Sequence, residues 1–188
     1  MMVDSGNATK KIRRTGVFSR GYAVAEVDSF LRAAQVAYRS DEDVDPRDVL
    51  NVTFSSSLNG YQPATVDKLV DELHRRFLHR KRKAVIASQG SEAWLNSVYE
   101  EASTLYPRLL RPHGERFAPA KKWGYRTSDV DAFMDHIAAY FNGDERLTSL
   151  QVRRRAFPAA RGEKAYQEAV VDVFLDRVFS VLVAVEQR

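Results

Sequence analysis

The chain has 188 residues, 44% of them hydrophobic and 11% aromatic, which is enough to bury a core and too apolar for a wholly disordered chain. It contains no cysteine, which excludes disulfides, thiolate zinc sites and cysteine nucleophiles and points to residence inside the cell. The net charge is only +4, although 21 of the 29 cations are arginine, and a protein that wraps DNA carries a larger surplus.

In chain order, residues 1–9 are expected to be disordered, and Met1–Gly6 lacks the apolar core of a signal peptide. Gly21 and Tyr22 then open a segment in which Val27, Asp28, Phe30 and Leu31 follow at fixed offsets. Its apolar residues Val24, Val27, Leu31, Ala34 and Tyr38 keep helical period. Residues 41–46 form an acidic loop. Gly60, Tyr61, Val66 and Asp67 repeat the frame, with Pro63 at the first helical position. Here Val66, Leu69, Val70, Leu73 and Phe77 fall on one face, while Lys68, Asp71, Glu72 and Arg75 face away.

The densest basic run, Arg75, Arg76, Arg80, Lys81, Arg82 and Lys83, ends that helix, where cations suit the dipole. The same run suits an anionic surface, either lipid or nucleic acid. A further helix is predicted over 91–106, with Ser91 as cap and Trp94, Val98, Ala102 and Leu105 as its stripe. Pro107, Pro112 and Gly114 then break the chain.

The third copy of the frame has Gly124, Tyr125, Val130 and Asp131, with Thr127 or Ser128 as cap and Phe133, Met134, Ile137 and Phe141 as its face. After a turn at Asn142–Asp144, Arg153–Arg155 precede the fourth copy. That copy has Ala165 in the glycine position, then Tyr166, Val171 and Asp172, with Phe174, Leu175, Val178 and Leu182 behind. In each copy the aspartate falls early in the helix, where the dipole favours a negative charge. No apolar run reaches the roughly 20 residues of a membrane-spanning helix.

The four tyrosines are spaced by 39 and 41 residues within pairs and by 103 and 105 between pairs. The spacing predicts an all-α chain of four turn-plus-helix motifs in two duplicated pairs. The first pair spans 10–77, the second 117–188, and 78–116 is a joining segment with one helix. The prediction requires the four tyrosines to occupy equivalent places, the halves to superpose, and none of the four segments to be a strand. Tyr, Val and the apolar pair serve packing in this scheme.

Catalysis finds little support in the sequence. The four histidines show no metal spacing, and there is no phosphate-binding glycine loop or nucleophile elbow. No cofactor is expected.

With Arg20, Gly21, Tyr22, Glu26, Val27, Asp28, Phe30 and Leu31 at this spacing, the sequence resembles the DivIVA domain of bacterial division and polar-growth proteins. Asp48–Asn51 with Phe54 resembles the short segment before that family's turn. Several copies without a long coiled coil are similar to actinobacterial members. The resemblance implies a non-enzymatic scaffold or adaptor in cell division or envelope growth. It also implies a cytoplasmic place, peripheral at the inner face of the membrane, and partners from that machinery, with homo-oligomers open. In that family an apolar residue and an arginine at the turn touch lipid. The matching candidates for membrane or partner contact are Phe18, Arg20, Leu58, Lys121, Lys122 and Trp123. The different reading is a soluble nucleic-acid-associated protein using residues 75–83.

Overall fold

The computed structural model describes residues 12–40 and 42–186. The expectation of disorder at 1–9, the reading of Met1–Gly6 and the first residues of the 10–77 span lie outside them, as does Asp41. The chain divides into two compact units, up to Lys81 and from Arg82 onward.

In the first unit the backbone pairs β1 (Arg20–Tyr22) antiparallel to β2 (Ser56–Leu58), with Gly21 opposite Ser57. Tyr61 lies between two neighbours, bridging Arg14 on one side and Tyr22 on the other. The Tyr22 and Tyr61 backbones exchange hydrogen bonds at 2.9 Å in both directions. This close crossing explains the glycines. A Cβ on Gly21 would lie 2.2 Å from the Tyr61 carbonyl oxygen, and one on Gly60 would lie 2.4 Å from that of Tyr22. The helix α1 (Val24–Arg39) follows β1, and the short α2 (Pro46–Leu50) is capped by Asp45, which accepts from the Arg47 N–H. Phe54 then stacks on Tyr22 and Phe30, with ring centroids 5.3 and 5.6 Å away.

The long helix α3 (Pro63–Gln89) begins at the proline, as its fixed φ favours. It does not stop near Phe77. Good helix formers run on until Gly90, whose φ is +91°. Its buried face is Val66, Val70, His74, Phe77 and Leu78, while Leu69 and Leu73 are half-buried. His74 was not expected in the core. In α1, Ala37 is buried and Tyr38 is exposed, the reverse of the predicted stripe.

The second unit begins inside the predicted joining segment, at Arg82. Here α4 (Ser91–Ser103) buries Trp94, Val98 and Ala102, and its N-cap is Gly90, not Ser91. The single turn α5 (Tyr106–Leu109) packs against α6 (Thr127–Asn142), and α4 packs against α8 (Glu168–Glu186). Strand β3 (Trp123–Arg126) is central, between β4 (Ala159–Arg161) and β5 (Ala165–Tyr166). α6 starts directly from β3 with Arg126 as its N-cap, so neither Thr127 nor Ser128 caps it. The short α7 (Ser149–Arg153) carries a capping box between Thr148 and Gln151. It packs along α8, whose Glu186 accepts from the Ser149 N–H and hydroxyl at 2.6 Å each.

The fold is therefore mostly helical with two small antiparallel sheets, and the all-α expectation is corrected. The glycine–tyrosine dipeptides of the first and third copies, and Ala165–Tyr166 of the fourth, are short strands. A run of two to four extended residues has no measurable alternation, so it reads as a turn in sequence. The requirement that none of the four segments be a strand is not met.

The predicted faces of α6 and α8 hold except at Phe141, which is half-buried: Val130, Phe133, Met134 and Ile137 are buried, as are Val171, Phe174, Leu175, Val178 and Leu182. Met134→Ala is expected to cost about 2–5 kcal/mol, as truncation of a fully buried side chain does. Leu69→Ala, on the flank of α3, is expected to cost about 1 kcal/mol. Urea unfolding of both variants checks this, and equal losses would contradict the helical phase of α3.

Candidate contact surfaces at the sheet ends

The motif residues make one recurring contact: a tyrosine of one copy reaches the aspartate of the other. The Tyr61 hydroxyl donates to Asp28 at 3.1 Å, and the Tyr166 hydroxyl donates to Asp131 at 3.0 Å. Tyr125 makes a long 3.5 Å contact to Asp172. Burial pushes the Tyr125 and Tyr166 phenols up to about 12 and raises that of Tyr61, so all three stay protonated donors at neutral pH. The aspartates thus lock strand to helix rather than serving the helix dipole alone. Val27, Val66, Val130 and Val171 are buried beneath them, and Asp67 is half-buried.

Asp131 sits deepest. Its carboxylate also accepts from the Gly114 N–H at 2.7 Å. The buried Arg116 donates to the Asp131 carbonyl at 2.6 Å and pairs with Asp135 at 2.5 Å, and His113 contacts Asp135 at 2.9 Å. This network ties 113–116 onto α6. Sequence pattern gave no sign of it, since Arg116 lies in a breaker-rich stretch.

The sheet ends are different in kind. In the first unit, residues 15–20 loop outward from a pinned base. Ser19 donates its N–H to Gly16, Thr15 reaches the Ser19 carbonyl through its hydroxyl, and the Asn59 N–H donates to Ser19. Asn59 takes φ +51° at the opposing turn. At the tip Phe18 is 95% exposed, Val17 68% and Leu58 61%. Arg20 lies directly across the ladder from Leu58. Val17 was not among the sequence candidates. In the second unit Trp123 is 58% exposed and sits opposite Arg161, whose guanidinium lies 4.1 Å from the ring centroid. Lys121 and Lys122 beside it are exposed. Each sheet end therefore pairs one exposed apolar side chain with one arginine across two strands. Arg161 was also missed, because the ladder register that places it is not readable from spacing.

The basic run is placed otherwise than expected. It lies in the middle of α3, not at its end. Arg80 donates to the carbonyls of Ala37, Tyr38 and Glu42 and lies over the Tyr38 and Phe77 rings, so it caps the C-terminal end of α1. Arg76 pairs with Glu72 at 2.5 Å. Arg75 and Arg82 are half-buried, and Lys81 and Lys83 are exposed. Arg153 pairs with Asp176 at 2.7 Å, and Arg155 lies over Phe133 and Phe157. Arg80, Arg153 and Arg155 thus tie elements of the fold together.

Of the histidines, His74 is in the core, and His136 contacts the Arg146 carbonyl and Glu145 at 3.2 Å each. Among the described residues no cluster of three or more His, Asp or Glu is arranged to hold a metal ion. Among them, too, no helix is long and apolar enough to cross a membrane. No family model, curated protein or solved structure matches the chain.

Proposed function

We propose that the protein is a non-enzymatic adaptor of bacterial division or envelope growth that docks on the cytoplasmic membrane surface and holds partner proteins there. The observation that carries this reading is the first unit's sheet end. Val17, Phe18 and Leu58 project from a loop whose base is fixed by hydrogen bonds, with Arg20 beside them. Packing gives no reason for apolar residues there. An exposed aromatic with a neighbouring cation suits the boundary between headgroups and acyl chains. The Trp123–Arg161 pair with Lys121 and Lys122 offers the same chemistry in the second unit. The division and polar-growth context, and assembly into homo-oligomers, come from the resemblance to DivIVA domains.

The same reading, amended so that short strands replace the expected turns, includes descent of the two halves from one duplicated pair. The support is local geometry. Phe157 stacks on Tyr125 and Phe133 at 5.2 and 6.0 Å, as Phe54 does on Tyr22 and Phe30, and each stands 32 residues after its tyrosine. The N–H of Gln62 donates to Arg13 and that of Thr15 to Gly60, while Gln167 and Ala120 donate to Ala118 and Ala165 at matching positions. The loop bearing Phe18 is two residues longer than its counterpart, which accounts for offsets of both 103 and 105.

The test is co-sedimentation of the full chain with phosphatidylglycerol vesicles and with neutral phosphatidylcholine vesicles. Binding to the anionic vesicles is expected, and Phe18→Glu with Leu58→Glu should weaken it by about tenfold or more, since each buried apolar side chain contributes roughly 1.5–3 kcal/mol. Helical content should not change, because both side chains are exposed. Lys81→Glu with Lys83→Glu tests the basic run while sparing Arg80. Wild-type protein that ignores anionic vesicles at low salt would overturn the membrane reading. Binding to DNA with a steep salt slope would favour the nucleic-acid reading instead.

A further inference from the structure

In the second unit three arginines, Arg108, Arg111 and Arg177, line one cavity of about 200 Å³. They come from the breaker-rich stretch after α4 and from the middle of α8. The cavity wall is apolar, with Phe117 and Phe174 buried and Val173 at the exposed rim. No lining residue is acidic. Among the described residues none of the three arginines is ion-paired.

Neutral groups set their positions. Arg108 donates to the Arg116 carbonyl at 2.7 Å and stacks 5.2 Å from the Phe117 ring centroid. Arg177 donates to the Thr104 hydroxyl, and the Arg111 carbonyl accepts from Arg116. Burial, and then the charges of Arg111 and Arg177, pull the Arg108 guanidinium below its ordinary value. Like charges gathered in a partly desolvated hollow without a counter-charge are unfavourable, and an anion in the hollow relieves them.

We infer that this cavity binds a phosphomonoester dianion bearing a short apolar substituent. Three guanidiniums exceed the single charge of a carboxylate, while a phosphomonoester carries about −1.5 to −2 at neutral pH. Planar guanidinium forks match phosphate oxygens in pairs. The volume is below the roughly 300–1,000 Å³ of sites for drug-sized ligands, so it takes a phosphate and little more. The substituent lies against Phe174 and Val173. None of these residues belongs to the sheet ends, so this site and the membrane reading fail independently.

The test is isothermal titration calorimetry of the full chain with phenyl phosphate, benzoate and a phosphoserine tripeptide. Phenyl phosphate should bind saturably, with a dissociation constant of about 1 mM or below. Benzoate should bind about tenfold or more weakly. Arg111→Gln with Arg177→Gln should remove at least about tenfold of the phenyl phosphate affinity, and the variant should still melt in one cooperative transition without ligand. Val173→Asp, at the exposed rim, should abolish binding without touching an arginine, and serves if the double variant misfolds. A tripeptide that outbinds phenyl phosphate assigns the source to a phosphorylated protein, and the reverse assigns it to a small phosphorylated molecule; both support the site. No saturable phosphate binding, benzoate equal to phenyl phosphate, or affinity unchanged in the folded double or rim variant would overturn it.

Discussion

Asp131→Ala is expected to destabilise the second unit by about 3–5 kcal/mol, the range for removing one partner of a buried ionic contact. Asp131 is 2% exposed and Arg116 5%. The substitution leaves the Tyr166 hydroxyl and the Gly114 N–H without their acceptor. It also takes a carboxylate from beside the Arg116 guanidinium, at 3.9 Å. Arg116 keeps Asp135 and two backbone carbonyls, which places the loss toward the lower end of the range. Asp131→Asn keeps one oxygen acceptor and should cost less. Guanidinium unfolding measures both, and a loss under about 0.5 kcal/mol for the alanine would mean that the network is not holding 113–116 in place.

That network marks the limit of what the sequence conveyed. Helices α1, α3, α4, α6 and α8 were readable because each buries a stripe of apolar residues at helical period over several turns. The strands were not. β5 is two residues long, and its ladder is made with a partner some forty residues earlier. Such pairing leaves no local periodicity. The glycine before each of three tyrosines suits either a tight turn or a close backbone approach, and the structure shows the second, a backbone crossing. His74 escaped because a histidine inside an apolar stripe looks like an interruption. The end of α3 was misplaced because a basic run resembles a C-terminal turn, yet lysine and arginine also propagate a helix well.

The candidate surface was legible in part. Phe18, Leu58 and Trp123 stood out because no helical stripe claims them, and all three are exposed. Val17 is as exposed as Leu58, and no pattern in the sequence sets it apart. The cations were harder. Charge alone does not separate Arg80, which caps a helix some forty residues away, from Lys81, which faces solvent. Arg108, Arg111 and Arg177 form no run at all, and only the packing of α4 and α5 along α8 and α6 brings them to one hollow.

Gly124→Ala is expected to cost about 3 kcal/mol, at the upper end of ordinary overpacking. Its added Cβ would stand 2.0 Å from the Tyr166 carbonyl oxygen and 2.8 Å from the Ala120 Cβ. Backbone cannot step aside as the end of a flexible side chain does. Nor can β3 retreat as a body, because it is the central strand. On one side Tyr125 and Arg126 pair with β5, and on the other the Arg126 N–H donates to Pro158 while the Lys122 carbonyl accepts from Gly162. Any shift that frees the Cβ breaks one ladder or the other. Gly143→Ala is the matched control. Gly143 ends α6 with φ +86° and has open space where a Cβ would go, so its alanine meets only the left-handed backbone penalty, about 1 kcal/mol. The alanine already present at position 165 shows which side of the crossing tolerates a Cβ, since Ala165 is fully buried in a regular ladder opposite Arg126. Thermal and urea unfolding of the two variants should therefore rank Gly124→Ala well below Gly143→Ala in stability. The opposite ranking would mean that glycine serves backbone conformation at this crossing rather than close approach.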